Sequence, residues 1–230
     1  ILSAATRAKK SGASSFCLVC AWREPTEENF EDVCSVVKAI KEDVGIDVNC
    51  SLGFLTEKRA KALKELGVKR YNHNLEASKS FFDKICSTHT YYDRINTAKI
   101  VKSCGLQLCS GGILGMGETR TQRLELAFEA SGLEPEEFPV NILIPRPGTP
   151  LAGMKPLDAM EVIKTIAVYR FILPRSIIKI AGGREVHLGD LQSLALLGGA
   201  NGIITGGYLT VGGNEPEKDI RMIRELGLKA

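Results

Sequence analysis

No apolar stretch in this sequence approaches the length of a bilayer crossing, which excludes an α-helical membrane span. No cluster of Lys and Arg interleaves with aromatic residues, and 30 basic against 27 acidic residues leave only +3, so no nucleic-acid partner is expected. Nothing reads as a secretory signal peptide, and the seven cysteines are an odd number without the spacing of a secreted scaffold. Thiols of that kind belong in a reducing compartment, so a cytoplasmic location is expected, with the cysteines free or metal-bound. No low-complexity linker interrupts the 230 residues, a length that suits one large domain over 1–230 with a substantial core. The chain opens on Ile1-Leu2-Ser3, which reads as part of a helix and lacks an initiator Met. We therefore expect a longer polypeptide at the amino end.

What is present is a recurring unit: a charged amphipathic helix, a glycine stop and an apolar strand. The stops are Ser11-Gly12, Leu66-Gly67, Cys104-Gly105 and Leu226-Gly227, each just beyond Lys or Arg in the last helical turns. The strands that follow are near-continuous apolar runs, as in a parallel sheet covered on both faces. Strands are expected near 14–20, 46–52, 68–75, 106–113, 138–144, 176–181 and 200–205. Helices are expected near 2–11, 29–43, 56–66, 91–104, 120–131, 157–173, 188–198 and 215–226. Seven strands alternating with helices fit an α/β (β/α)8 barrel of the TIM type without its first strand. An open doubly wound sheet is the alternative, but no Gly-rich dinucleotide turn follows the first strand.

Three cysteines, Cys17, Cys50 and Cys109, each lie in one of these strand-like runs after a helical segment. Strands of one barrel could bring the thiols together, and three thiolates make a soft ligand set for iron or zinc. The plainer reading of any one of them is a small buried hydrophobe.

Polar residues at carboxyl ends of strands are the other candidates, because barrel chemistry sits there. In Tyr71-Asn72-His73-Asn74-Leu75-Glu76 the period of two would put Asn72, Asn74 and Glu76 on one face. Such groups are costly to bury unless a ligand or an internal hydrogen-bond ladder pairs with them. Asn141, flanked by Val140, Ile142 and Leu143, repeats the pattern, and its amide suits a urea, lactam or adenine edge. Cys109-Ser110-Gly111-Gly112-Ile113-Leu114-Gly115 runs a strand into a glycine-rich turn where backbone could approach a cofactor. Arg94 lies near a helix start, where a carboxylate partner would offset the dipole. Arg184 follows an apolar strand, and a salt bridge is its default reading.

At this point the residues resemble the biotin synthase family of the radical S-adenosylmethionine superfamily. The resemblance runs through essentially the whole chain. It is carried by Phe16-Cys17, Ala21-Trp22, Tyr71-Asn72-His73-Asn74-Leu75, Cys109-Ser110-Gly111-Gly112-Ile113, Gly148-Thr149-Pro150-Leu151, Gly183-Arg184-Glu185 and Gly206-Gly207-Tyr208-Leu209. It implies a [2Fe–2S] cluster held by three strand cysteines and an arginine, falling on Cys17, Cys50, Cys109 and Arg184. The implied S-adenosylmethionine contacts fall on Asn74, Glu76 and Arg94, with main chain near Ile113 and Leu114. The implied dethiobiotin contacts fall on Asn72, Asn74 and Asn141. Glu76 stands where many members have Asp, still a carboxylate for ribose hydroxyls. The implied reaction is cleavage of S-adenosylmethionine by a reduced [4Fe–4S] cluster to a 5′-deoxyadenosyl radical. That radical removes hydrogen from dethiobiotin, and sulfide of the second cluster traps the carbon radical to build biotin. An electron donor such as flavodoxin or ferredoxin, and a homodimer, are the expected protein partners.

One departure from the pattern is an absence. The superfamily's Cys-x3-Cys-x2-Cys loop, which binds the [4Fe–4S] cluster, does not occur here; Cys17-Leu18-Val19-Cys20 lies within a strand. The resemblance places that loop before the helix at which this chain begins, so we expect it upstream of Ile1. Two alternatives stand beside this reading. One is a related maturase of hydrogenase cofactors that methylates or rearranges another substrate. The other is a non-catalytic metal-binding barrel.

Overall fold

The computed structural model describes residues 1–207 and 212–229. In chain order the elements are α1 (Leu2–Lys10), β1 (Ser15–Val19), α2 (Glu27–Ala39), β2 (Asp47–Ser51), α3 (Glu57–Glu65), β3 (Arg70–Asn72) and α4 (Lys79–Phe82). They continue as α5 (Tyr91–Ser103), β4 (Gln107–Cys109), β5 (Gly112–Leu114), α6 (Arg120–Ser131), β6 (Glu137–Ile142) and α7 (Ala159–Ile172). The last are β7 (Ile177–Ile180), α8 (Arg184–His187), α9 (Gln192–Leu197), β8 (Gly202–Ile203) and α10 (Pro216–Glu225). Two compact units are distinguished: residues 1–73 with 92–109, and residues 74–91 with 110–229.

In the first unit β1, β2, β3 and β4 pair side by side, all parallel. The helices between them start at hydroxyl caps: Thr26 Oγ1 accepts from Asn29 N at 3.2 Å and Thr56 Oγ1 from Arg59 N at 3.4 Å. Two of the expected glycine stops, Gly67 and Gly105, and the turn at Val44 each receive a lysine from the preceding helical segment. Lys9 Nζ reaches Val44 O at 2.5 Å, Lys41 Nζ reaches Gly67 O at 3.0 Å, and Lys64 Nζ reaches Gly105 O at 2.6 Å. A cation on the last carbonyls satisfies groups that the helix leaves open.

The register gives this sheet two chemically distinct faces. Leu18, Cys50, Tyr71 and Leu108 lie in one row, all buried. Ser15, Cys17, Asn49, Arg70, Asn72, Gln107 and Cys109 occupy the opposite, polar face.

In the second unit β5, β6, β7 and β8 are again parallel, with β6 between β5 and β7. Thr119 and Gln122 form a capping box at the start of α6, and Asp158 Oδ1 accepts from Met160 N at 2.8 Å at the start of α7. Phe138 and Tyr169 meet edge to face at 5.2 Å inside this core.

The expected strand 106–113 is two strands here. Gly111 separates them because it passes so close to β6 that a Cβ there would lie 2.0 Å from Pro139 O. The expected strand 68–75 closes at Asn72, and α4 and α8 are additional short helices. The remaining expected strands and helices appear within a few residues of their expected bounds.

Candidate functional site

The polar face of the first unit carries the candidate thiols. Cys17 pairs in register with Asn49, and Asn72 with Cys109, so these four side chains share that face. The Asn72 amide donates to Cys17 Sγ at 3.2 Å, and the Asn49 amide donates to Ser15 Oγ at 3.0 Å. Among the described residues, Oδ1 of Asn49 and Oδ1 of Asn72 are buried with no hydrogen-bond partner. Asn49 itself is only 3% exposed.

Cys50 differs from Cys17 and Cys109 in register and burial. It pairs with Leu18 and Tyr71, one residue out of step with Cys17, so its thiol lies on the apolar face. Desolvation pushes that thiol well above the ordinary range, and Cys17, Cys20 and Cys34 push it further. Tyr71 beside it is also held protonated by burial, although its hydroxyl accepts from Leu52 N at 3.2 Å and donates to Gly53 O at 2.8 Å.

Arg94 is partly buried in the first turns of α5.

The second unit holds the other candidates. Asn74 Oδ1 accepts from Gly111 N at 3.2 Å. Glu76 takes up a left-handed backbone with φ 68°, beyond the end of β3, so the period of two does not reach it. Its N–H donates to Gly111 O at 3.1 Å and its carbonyl accepts from Ile113 N at 2.9 Å. Leu114 O accepts from Leu143 N at 2.9 Å. The glycines of this turn answer to backbone crowding, since a Cβ on Gly112 would lie 2.5 Å from Glu76 O. Asn141 pairs in register with Ile113 and bridges two segments: Nδ2 donates to Gly112 O at 3.3 Å and Oδ1 accepts from Gly182 N at 3.0 Å.

Arg184 begins α8 and is fully buried. Its Nε and Nη2 donate to Ile204 O at 3.2 and 2.9 Å, and Nη2 reaches Asp219 Oδ2 at 2.6 Å and Glu185 Oε1 at 3.1 Å. Nη1 donates to Gln192 Oε1. The salt bridge read as its default is present in full. Of the Gly206–Leu209 stretch, Tyr208 and Leu209 lie outside the described residues.

The Radical SAM superfamily model matches residues 1–130, and the Biotin and Thiamin Synthesis associated domain matches residues 139–229. A biotin synthase of Cenarchaeum symbiosum (strain A) is 58% identical over 230 residues, covering 100% of this chain and 72% of that protein. The chain belongs to the biotin synthase family. A biotin synthase of Nitrosopumilus maritimus (strain SCM1) is 56% identical over 230 residues, covering 100% of this chain and 71% of that protein. Among solved structures, methylornithine synthase (PylB) superimposes with a TM-score of 0.83 at 19% identity, over 100% of this chain and 73% of that one. HydG, a maturase of the [FeFe]-hydrogenase, gives 0.82 at 16% identity, over 99% of this chain and 56% of that one. At such identities the structures speak for the fold alone: a parallel α/β architecture like that of these barrel enzymes.

Membership in the biotin synthase family implies a [4Fe–4S] cluster and S-adenosylmethionine. No Cys-x3-Cys-x2-Cys run occurs in this sequence, so none of its residues is assigned to that cluster. The polar face carries two thiols, Cys17 and Cys109, with the Asn72 amide beside Cys17. Among the described residues no group of three or more His, Cys, Asp or Glu is placed to hold a metal ion.

Sequence reasoning missed Glu118. Its carboxylate is buried and accepts from Gly115 N at 2.9 Å and Met116 N at 2.8 Å, fixing the turn after Ile113 and Leu114. Arg123 Nε pairs with it at 2.7 Å and also reaches Glu161 at 3.0 Å. An acidic residue closing a glycine-rich turn five residues before an arginine was the available signal. Glu118→Ala leaves Arg123 half-paired and two amides open, and is expected to cost about 2–4 kcal/mol, between a lost buried hydrogen bond and a broken buried ion pair. Urea melts check this, and a change below about 0.5 kcal/mol, the usual range for an ordinary surface substitution, would remove Glu118 from that role.

Proposed function

We propose that this chain is the barrel portion of a radical S-adenosylmethionine enzyme that inserts sulfur into dethiobiotin to form biotin. The observation that carries the reading is the 58% identity to a biotin synthase over the whole chain, together with matches to both family models. When bound, S-adenosylmethionine and the cluster that reduces it supply the hydrogen-abstracting radical; the protein supplies placement and exclusion of water. No general base is assigned.

The chain's own residues divide between two tasks in this reading. Asn74 and Glu76, held by Gly111, would orient S-adenosylmethionine, aided by Arg94 and the backbone at Ile113 and Leu114. Asn72 and Asn141 would meet the ureido group of dethiobiotin, which offers both donors and an acceptor to an amide. Flavodoxin or ferredoxin as electron donor, a homodimer, and one functional barrel over 1–230 complete the reading. Among the described residues no helix is long and apolar enough to cross a membrane.

The deciding experiment is titration of dethiobiotin into the anaerobically reconstituted full-length enzyme. Binding with stimulated 5′-deoxyadenosine formation is expected; failure of both would end the biotin reading and return weight to a maturase. Asn141→Ala should weaken dethiobiotin about ten- to a hundredfold, since an unmade buried hydrogen bond costs roughly 1–3 kcal/mol. The affinity is measured by calorimetry on protein shown to be folded, because the same amide bridges Gly112 and Gly182. An unchanged affinity would remove Asn141 from the substrate site.

A further inference from the structure

The chain runs without strand or helix from the end of β6 at Ile142 to the start of α7 at Ala159. This connection leaves the carboxyl end of a parallel strand, just beyond Asn141, on the side where barrel chemistry gathers. Long irregular connections are uncommon in compact domains and are typically lids or binding loops.

Residues 145–157 are tied to themselves rather than to their surroundings. Thr149 N donates to Arg146 O at 3.3 Å, Ala152 N to Thr149 O at 3.0 Å and Met154 N to Leu151 O at 3.1 Å. Thr149 Oγ1 donates to Arg146 O at 2.7 Å. Among the described residues no hydrogen bond joins this segment to another. A Cβ on Gly148 or Gly153 would meet nothing within 4 Å, so the outer part of the segment stands clear.

What holds the segment down is apolar. Leu151 packs on the buried cluster of Ala77, Phe81 and Met116, and Ile113 packs on the same cluster. Met154 Cε lies 3.1 Å from where a Cβ on Gly117 would stand, and Leu157 Cγ lies 3.5 Å from that on Gly115. The two glycines, at φ 104° and 93°, thus leave the turn after β5 bare for these side chains to sit on. A segment held by a few apolar contacts, without backbone hydrogen bonds to its support, opens at low cost. Ile113 links the two features: its main chain is the proposed cofactor contact, and its side chain shares a support with Leu151.

We propose that residues 145–157 form a strap that closes over the S-adenosylmethionine site, latched on the turn after β5 by Leu151 and Met154. The strap lifts to admit a nucleoside sulfonium and closes to keep water from it. Leu151 and Met154 are positioning residues. The proposal rests on the biotin synthase reading, which puts S-adenosylmethionine at Ile113 and Leu114.

Hydrogen–deuterium exchange of the amides in 148–155 tests it, followed by mass spectrometry on the anaerobically reconstituted full-length enzyme. S-adenosylmethionine at about ten times its Kd is expected to slow that exchange about tenfold, because opening then requires release of the cofactor. Met154→Ala and Leu151→Ala should each raise the dissociation rate of labelled S-adenosylmethionine about tenfold, the worth of one partly buried aliphatic side chain. Met154→Leu should restore the parent rate, and iron content should stay unchanged in all three variants. Bound S-adenosylmethionine that leaves the exchange of 148–155 unaltered overturns the strap. Parent dissociation rates in both alanine variants overturn it equally. The exchange result on the parent enzyme decides even where a variant fails to fold. Failure of the parent enzyme to bind S-adenosylmethionine at all would sink the biotin synthase reading and the strap with it, whereas binding without protection sinks the strap alone.

Discussion

Arg184→Met is expected to lower stability by about 3–5 kcal/mol, the range for removing one partner of a buried ion pair. The guanidinium is fully buried and serves Ile204 O, Gln192, Glu185 and Asp219 together, and Asp219 is itself only 1% exposed. Without the cation, the Asp219 carboxylate keeps, among the described residues, the Asn214 amide at 3.1 Å on its other oxygen. For a chain of this size each kcal/mol is worth roughly 2–4 °C, so the melting temperature should fall by roughly 6–20 °C. Adding Asp219→Asn should restore part of that loss, since the orphaned charge goes with it. A melting temperature within about 2 °C of the parent, less than 1 kcal/mol by the same conversion, would show that the arginine cage contributes little to the fold.

Gly111→Ala is expected to damage both folding and S-adenosylmethionine binding. The new Cβ would lie 2.0 Å from Pro139 O and 2.9 Å from Pro139 C, both backbone atoms that no rotamer change can move aside. Overpacking of this kind costs about 1–3 kcal/mol or more. Gly111 also donates to Asn74 Oδ1 and accepts from Glu76 N, so pushing β6 away displaces both proposed cofactor contacts. Misplacement worth about 1.4–2.8 kcal/mol lowers affinity ten- to a hundredfold. Equilibrium dialysis of labelled S-adenosylmethionine against folded, reconstituted variant checks the second half. Native affinity in a destabilised variant would separate the glycine's packing role from the cofactor site and sink the proposed roles of Asn74 and Glu76.

Much of the architecture was legible in local patterns. The strands after Gly67 and Gly105 were legible from the glycine stops that precede them, although Arg70, Asn72 and Gln107 give one of their faces a polar character. The helices were legible from amphipathic charge and their glycine stops. The lysine clamps on Val44, Gly67 and Gly105 were not, because each joins residues 26 to 41 positions apart. The break at Gly111 was invisible for the same reason: its cause is the carbonyl of Pro139, 28 residues on.

The kinds of groups at the site were legible in the sequence, and the register that orders them was not. That thiols and amides concentrate at strand positions can be seen from residue types alone, because such groups are costly to bury without a partner. Which of Asn49 and Cys50 stands beside Cys17 cannot be seen that way. Both lie within one five-residue strand, and their side chains point to opposite faces. A shift of a single residue in strand pairing exchanges the two, and nothing in the local pattern fixes that step.

The sequence by itself therefore determined the parallel α/β class, the family and the kinds of groups available, because periodicity, glycine stops and local motifs are properties of neighbouring residues. Tertiary structure alone decided that Cys17, Asn49, Asn72 and Cys109 share a face, that Cys50 pairs in register with Leu18 and Tyr71, and that Glu118 and Asp219 hold their arginines. Those facts depend on pairing between segments distant in the chain, where a shift of one residue exchanges the two faces of a strand.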